Sequence, residues 1–165
     1  MNRKVLVALV ALVALTGAWY AFRPERLFIN QKVNESFPVA QASSARPAIL
    51  FAGRFHNVAH ETKGQATVFQ LAEGRRTLRL TEFETSNGPD VRVYLVAAGD
   101  ATDSETVKNA GYVELGALKG NQGDQNYDIP ADVDLTKYRA VTIWCRRFGV
   151  NFGTAPLSAE TRERN

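Results

Sequence analysis

Two patterns of hydrophobic positions divide the chain. From Val5 to Phe22 the run VLVALVALVALTGAWYAF carries no charge, and a stretch of this length reaches the lower end of what a helix needs to cross a bilayer. From Ile49 onward the pattern changes to short runs broken by turn residues: ILFAGRF, QATVFQLA, RTLRLTEFE, DVRVYLVAA, GYVELGAL, QNYDI, AVTIWCRRF and VNFGTAPL. Several alternate. Leu78 and Leu80 are followed, after an offset, by Phe83; Val91, Val93 and Leu95 alternate, as do Val141, Ile143 and Cys145. Period-two spacing marks strands with one buried face. Between the runs lie Glu73-Gly74, Ser86-Asn87-Gly88-Pro89, Ala98-Gly99-Asp100, the stretch from Lys119 to Asp124, and Ile129-Pro130, all of them turn chemistry. One short helix is predicted, around Asp103 to Asn109 with Ser104 as its cap. Many short strands with regular turn signals predict an all-β domain, an antiparallel sandwich or barrel, behind one N-terminal transmembrane helix. The boundaries follow: a cytoplasmic N-terminus at 1–4, an anchor or signal sequence at 5–22, a linker at 23–47, the β-domain at 48–158 and a polar tail at 159–165.

The N-terminal run has two readings. A signal peptide would have a basic start, a shorter apolar stretch and a small-residue cleavage site, and Thr16-Gly17-Ala18 offers one. An uncleaved anchor would carry aromatic residues at the far interface and charges beyond them, and Trp19, Tyr20 and Phe22 followed by Arg23 and Arg26 fit that picture. Cleavage after Ala18 would leave a bulky Trp-Tyr start, so the anchor is favoured. No cysteine lies nearby to make it a lipoprotein signal. Arg3 and Lys4 hold the short end in the cytoplasm by the positive-inside rule, which places the domain on the periplasmic or extracellular side. In the linker, Leu27, Phe28, Ile29, Val33, Phe37 and Val39 are more apolar than a free tether needs, so part of it is expected to pack on the domain or lie on the membrane.

Charge sharpens this division. The net charge is +3, but Met1 to Pro47 holds six basic residues against two acidic ones, which leaves the remainder at −1. A near-neutral domain has no basic face for a phosphate backbone, and nucleic-acid binding is excluded as a function class. The single cysteine, Cys145, cannot form an internal disulfide, and composition leaves open whether it is a small core hydrophobe, a ligand or an intermolecular partner.

The strings FAGRFHNVAHETKGQATV, LRLTEFETSNGPDVRVYL, VELGALKGNQGDQNYDIP and YRAVTIWCRRFGVNFGTAPL, in order from Phe51 to Leu157, closely resemble the DM13 domain. The most specific pieces are NGPDVRVYL, LGALKGNQGDQNYDIP and IWCRRFGVNFG. DM13 domains occur in membrane-anchored or secreted bacterial proteins and beside DOMON domains in larger eukaryotic ones. The resemblance implies a β-rich fold and a redox or electron-transfer role centred on a cysteine that matches Cys145.

In AVTIWCRRF, alternation puts Cys145 with Val141 and Ile143, and Thr142, Trp144 and Arg146 on the other face. If the Val-Ile face is the core face, the thiol points inward, and a buried thiol in apolar surroundings reacts poorly. A redox role therefore needs something other than hydrocarbon to reach the sulfur, with Arg147 on the same face as a candidate cation. Trp144, facing away, is expected to cover a strand edge or sit on a binding surface. His56 and His60 are the only histidines; read plainly they are loop residues with surface hydrogen bonds. Position 57 is Asn, so the zincin acid is missing. His60, with Gly64, matches a position in the DM13 pattern and is the better candidate to join Cys145 in binding a metal or haem iron, since thiolate and imidazole are suitable ligands. No CxxCH is present, and cupredoxin spacing is absent, so no metal and no particular cofactor is assigned. Asn87-Gly88-Pro89-Asp90 reads as a turn, with a polar lip to a pocket or a carboxylate partnership between Asp90 and His60 as its functional alternatives. No hydrolase triad, glycosidase carboxylate pair or nucleotide fingerprint stands out. The leading expectation is a membrane-tethered domain with a redox or electron-transfer role at Cys145, assisted by His60 and served by a redox partner protein. Its rival is a non-enzymatic module gripping a protein or glycan.

Overall fold

A computed structural model describes residues 2–22, 29–38 and 47–159. The apolar N-terminal run forms α1 (Arg3–Phe22), 20 residues long. At 1.5 Å per residue that is about 30 Å, the thickness of a hydrocarbon core. Among the described residues this is the one helix long and apolar enough to cross a membrane.

The strands are β1 (Ala48–Arg54), β2 (His56–Asn57), β3 (Thr62–Gln70), β4 (Arg76–Thr85), β5 (Val91–Val96), β6 (Tyr112–Ala117), β7 (Gln125–Ile129), β8 (Ala140–Cys145), β9 (Val150–Pro156) and β10 (Ser158–Ala159), with α2 (Ser104–Ala110) between β5 and β6. They form two five-stranded sheets, ordered β10-β1-β3-β4-β7 and β2-β9-β8-β5-β6. Every neighbouring pair is antiparallel. The fold is thus the all-β antiparallel sandwich that the sequence pattern predicts.

The core between the sheets is built from the alternating positions. Leu78 and Leu80 of β4 meet Val93 and Leu95 of β5 and Val141, Ile143 and Cys145 of β8 in one cluster. The offset before Phe83 has a backbone cause: Glu82 takes a left-handed φ of 51° and Gly64 opposite takes 110°, where the β3–β4 register shifts. This bulge returns Phe83 to the inner face, where its ring meets that of Phe55 edge-on at 5.4 Å.

β8 is central in its sheet and buried at all six positions. Its outer face is covered by a second cluster of Tyr94, Val96, Ala101, Val107, Ala140 and Trp144 beneath α2. The sequence expectation for Trp144 is therefore corrected: it is 7% exposed and packs under the helix instead of covering an edge or facing a ligand. The cap of α2 is also corrected. Asp103 accepts from Thr106 N at 2.7 Å, while Ser104 Oγ turns inward to accept from Asn151 N at 3.0 Å.

Residues 29–38 lie along the domain as a strap. Val33 N donates to Gln122 O and Glu35 N to Asp124 O, each at 2.9 Å. Glu35 binds Lys119 Nζ at 2.7 and 2.9 Å and accepts from Asn126 N at 2.8 Å. Phe37 meets Phe69 edge-on at 4.8 Å. Of the apolar positions within the described part of this segment, Phe37 packs on Phe69 and Val33 is half-buried, while Ile29 is largely exposed; Leu27, Phe28 and Val39 lie outside the described residues.

Candidate functional site

Cys145 closes β8. It stands opposite Val91 of β5 and Val150 of β9, and the turn that follows is pinned by Gly149 N donating to Cys145 O and Arg146 N to Asp90 O, each at 2.9 Å. The thiol has 0% exposure and belongs to the inter-sheet cluster, so it does point inward. Arg147 is exposed on that turn. A reagent in solution meets side chains before it meets the sulfur.

His60 sits at the same end of the sandwich, tilted over Phe152 with ring centroids 4.0 Å apart. Its backbone N donates to Phe152 O at 3.0 Å. Phe152 belongs to the cluster that holds Cys145, so the aromatic ring is the connection between the imidazole and the thiol's surroundings. Among the described residues no three His, Cys, Asp or Glu side chains converge to hold a metal ion. A sulfur sealed in a close-packed cluster leaves no room for a macrocycle beside it. The residues therefore do not fit a metal or haem at Cys145 and His60.

The carboxylate of Asp90 serves two arginines instead of His60. Arg92 Nε donates to one oxygen at 2.6 Å and Arg146 Nε to the other at 2.8 Å. Arg92 reaches on to Glu114 at 3.0 Å. Burial pushes the Asp90 pKa up, but the two guanidinium groups outweigh it and hold it below its ordinary value. The NGPD segment is a turn, as read from the residues, and its acid locks the end of β5 to the end of β8.

His56 has the partnership that the sequence left invisible. Its Nε2 lies 2.8 Å from Asp100 Oδ1 and its Nδ1 3.2 Å from Asn57 O. Both neighbours are acceptors, and only the doubly protonated imidazolium satisfies both. Burial alone lowers the pKa of His56; the hydrogen bonds to Asp100 and Asn57 outweigh it, and the pKa is raised. No spacing signal links positions 56 and 100, which only the packing of the 97–103 loop against β2 brings together.

Outside β8 the aromatic rings form a column. Trp144, the residue before Cys145, lies 6.2 Å from Tyr94 between centroids, at 25°. Tyr94 stacks on Tyr112 at 4.2 Å and 3°. Tyr94 is 1% exposed and Tyr112 50%, so the column runs from the strand that carries the thiol to the surface. Burial, and then the Glu114 carboxylate, pushes the Tyr94 hydroxyl up to about 12. It stays protonated at any physiological pH.

A recess of about 500 Å³ opens at the thiol's end of the sandwich, lined by the strap, the 86–88 turn and residues 118–121. Val91 lines it and also packs on the core cluster opposite Cys145. The recess and the thiol's strand thus share one apolar wall.

A family model described as electron transfer DM13 matches residues 54–157. That range holds β2 to β9, both histidines, Cys145 and the whole aromatic column. No curated protein and no solved structure matches the chain.

Proposed function

The chain belongs to the DM13 electron-transfer family, and from that premise we propose that it is a membrane-tethered domain that passes single electrons between Cys145 and a partner protein outside the cytoplasm. The observation that carries this reading is the stacked column Trp144–Tyr94–Tyr112, which begins one residue from the thiol and ends on a half-exposed ring. Burial closes Cys145 to bulky thiols and to metals, but electrons cross packed protein without atoms having to reach the sulfur. The thiol gives up one electron and its proton. The electron leaves through the rings to a one-electron acceptor, a metal-centred site on the partner, docked over Tyr112. The proton leaves at the strand end, where β8 turns out into solvent at Arg146.

Asp90, Arg92, Glu114 and Arg146 set paired charges of both signs where β5 begins and β8 ends, on the sheet that carries the column, and such charges orient an approaching partner more than they tighten it. His60 supports the site from the core side by packing on Phe152. α1 holds the domain on the membrane, and Arg3 and Lys4 set its side.

The test is one-electron photo-oxidation of the detergent-solubilised full chain, read by electron paramagnetic resonance. In the unmodified protein the tyrosyl signal decays as the hole passes to sulfur. In Cys145→Ala it persists, and in Tyr94→Phe the surface radical no longer reaches the sulfur. Identical decay in all three proteins, each with its unfolding transition intact, overturns the proposal.

A further inference from the structure

The recess beside Val91 is built by two parts of the chain distant in sequence. The strap supplies Asn30 and Gln31, and the 86–88 turn supplies Ser86 and Asn87, over an apolar floor of Val91 and Leu118. Its volume of about 500 Å³ lies within the roughly 300–1,000 Å³ of small-molecule sites. Asn30 Oδ1 accepts from Asn87 Nδ2 at 2.9 Å and from Asn121 Nδ2 at 3.0 Å, and Gln31 N donates to Asn121 Oδ1 at 2.7 Å. These bonds fix the side chains of Asn30, Asn87 and Asn121 and the backbone of Gln31, and leave other groups free. Among the described residues the Asn30 Nδ2 group, the Gln31 amide, the Ser86 hydroxyl and Asn87 Oδ1 have no hydrogen-bond partner.

Charge narrows the ligand. Lys119 is the ionisable residue in the lining, and Glu35 neutralises it with contacts of 2.7 and 2.9 Å. No net charge remains to draw a phosphate or carboxylate. Fixed neutral donors and acceptors around an apolar floor match a ring with hydroxyls at its edge and C–H groups on its face. We propose that this recess is a binding site for a neutral sugar ring of the hexose class. One wall, residues 29–31, lies outside the region that the family model matches. The same ring chemistry is available from a free saccharide and from a glycolipid headgroup. Residues 23–28 separate α1 from the strap, which keeps the recess within roughly 25 Å of the helix end, close enough for either.

The experiment uses the isotope-labelled full chain in phosphatidylcholine nanodiscs, followed by the side-chain amide resonances of Asn30, Gln31 and Asn87. One arm adds methyl glucoside and the disaccharide of N-acetylglucosamine; the other uses nanodiscs doped with a diglucosyl lipid. Saturable shifts of these three amides in the first arm identify a free sugar, and shifts confined to the second identify a headgroup. Ser86→Ala and Gln31→Ala, whose side chains make no bond among the described residues, each weaken the binding by about tenfold, the loss of one neutral hydrogen bond, with the unfolding midpoint unchanged. The proposal is overturned if neither arm moves the amides, if the variants bind as well as the parent, or if inorganic phosphate produces the same shifts.

Discussion

Cys145 lies at zero exposure between Val91 and Val150, so a maleimide reaches its sulfur only when the end of β8 opens. Labelling is expected to be slow in the native protein, complete in denaturant, and to follow the unfolding equilibrium in between. Fast labelling of the folded chain would show an open path that the packing does not contain. His56 allows a prediction with a definite sign. Its pKa is raised in the fold, so the stability it contributes is fully present below the unfolded value near 6.5 and is lost as pH rises through the folded value. The pair with Asp100 is about 38% exposed on both sides, which limits the effect to roughly 1 kcal/mol or less. The unfolding midpoint of the parent should therefore exceed that of Asp100→Asn by more at pH 6 than at pH 8. An equal gap at both would remove the ion pair from the account.

The strap is the element whose contribution is easiest to isolate. Gly123 has φ +94°, and a Cβ there would stand 2.1 Å from Val33 O; at Gly120 it would stand 2.4 Å from Gln31 O. Both contacts are with backbone, which cannot turn aside. Gly123→Ala is expected to cost about 1–3 kcal/mol and to release the amides of Val33 and Glu35 to rapid hydrogen exchange, while the amides of β8 stay protected. Loss of protection in β8 as well would mean that the strap and the sandwich unfold as one unit. Acid acts on the same element. Burial raises the Glu35 pKa, but Lys119 and Asn126 outweigh it, so the net shift is downward. The stability from this carboxylate is present above its unfolded value near 4.5 and disappears as pH falls through the folded one.

At the scale of the whole molecule, a near-neutral sandwich is joined to a helix that carries Arg3 and Lys4 at its start. In sealed spheroplasts, added protease is expected to remove the β-domain while a tag before Met1 survives. Protection of the domain and loss of the tag would reverse the assigned sidedness. The domain core does not depend on α1, because the two sheets bury their shared cluster between themselves. A chain starting at the strap should therefore fold and retain the Trp144–Tyr94–Tyr112 stack, read by near-ultraviolet circular dichroism.

The amino-acid order by itself determined the apolar helix, the principal strands, the offset before Phe83 and the face that Cys145 shares with Val141 and Ile143. These follow from polarity and period along a single stretch of chain, which a linear reading contains in full. Tertiary structure alone decided the rest. Trp144 is buried because α2 folds over β8; Asp90 pairs with Arg92 and Arg146, and Asp100 with His56, because loops distant in sequence land together. The two-residue strands β2 and β10 exist only through their partners β9 and β1, and the recess exists only where the strap meets the 86–88 turn. Each of these depends on the relative placement of segments tens of residues apart. That placement is set by the packing of the whole core, and no local window of sequence carries it.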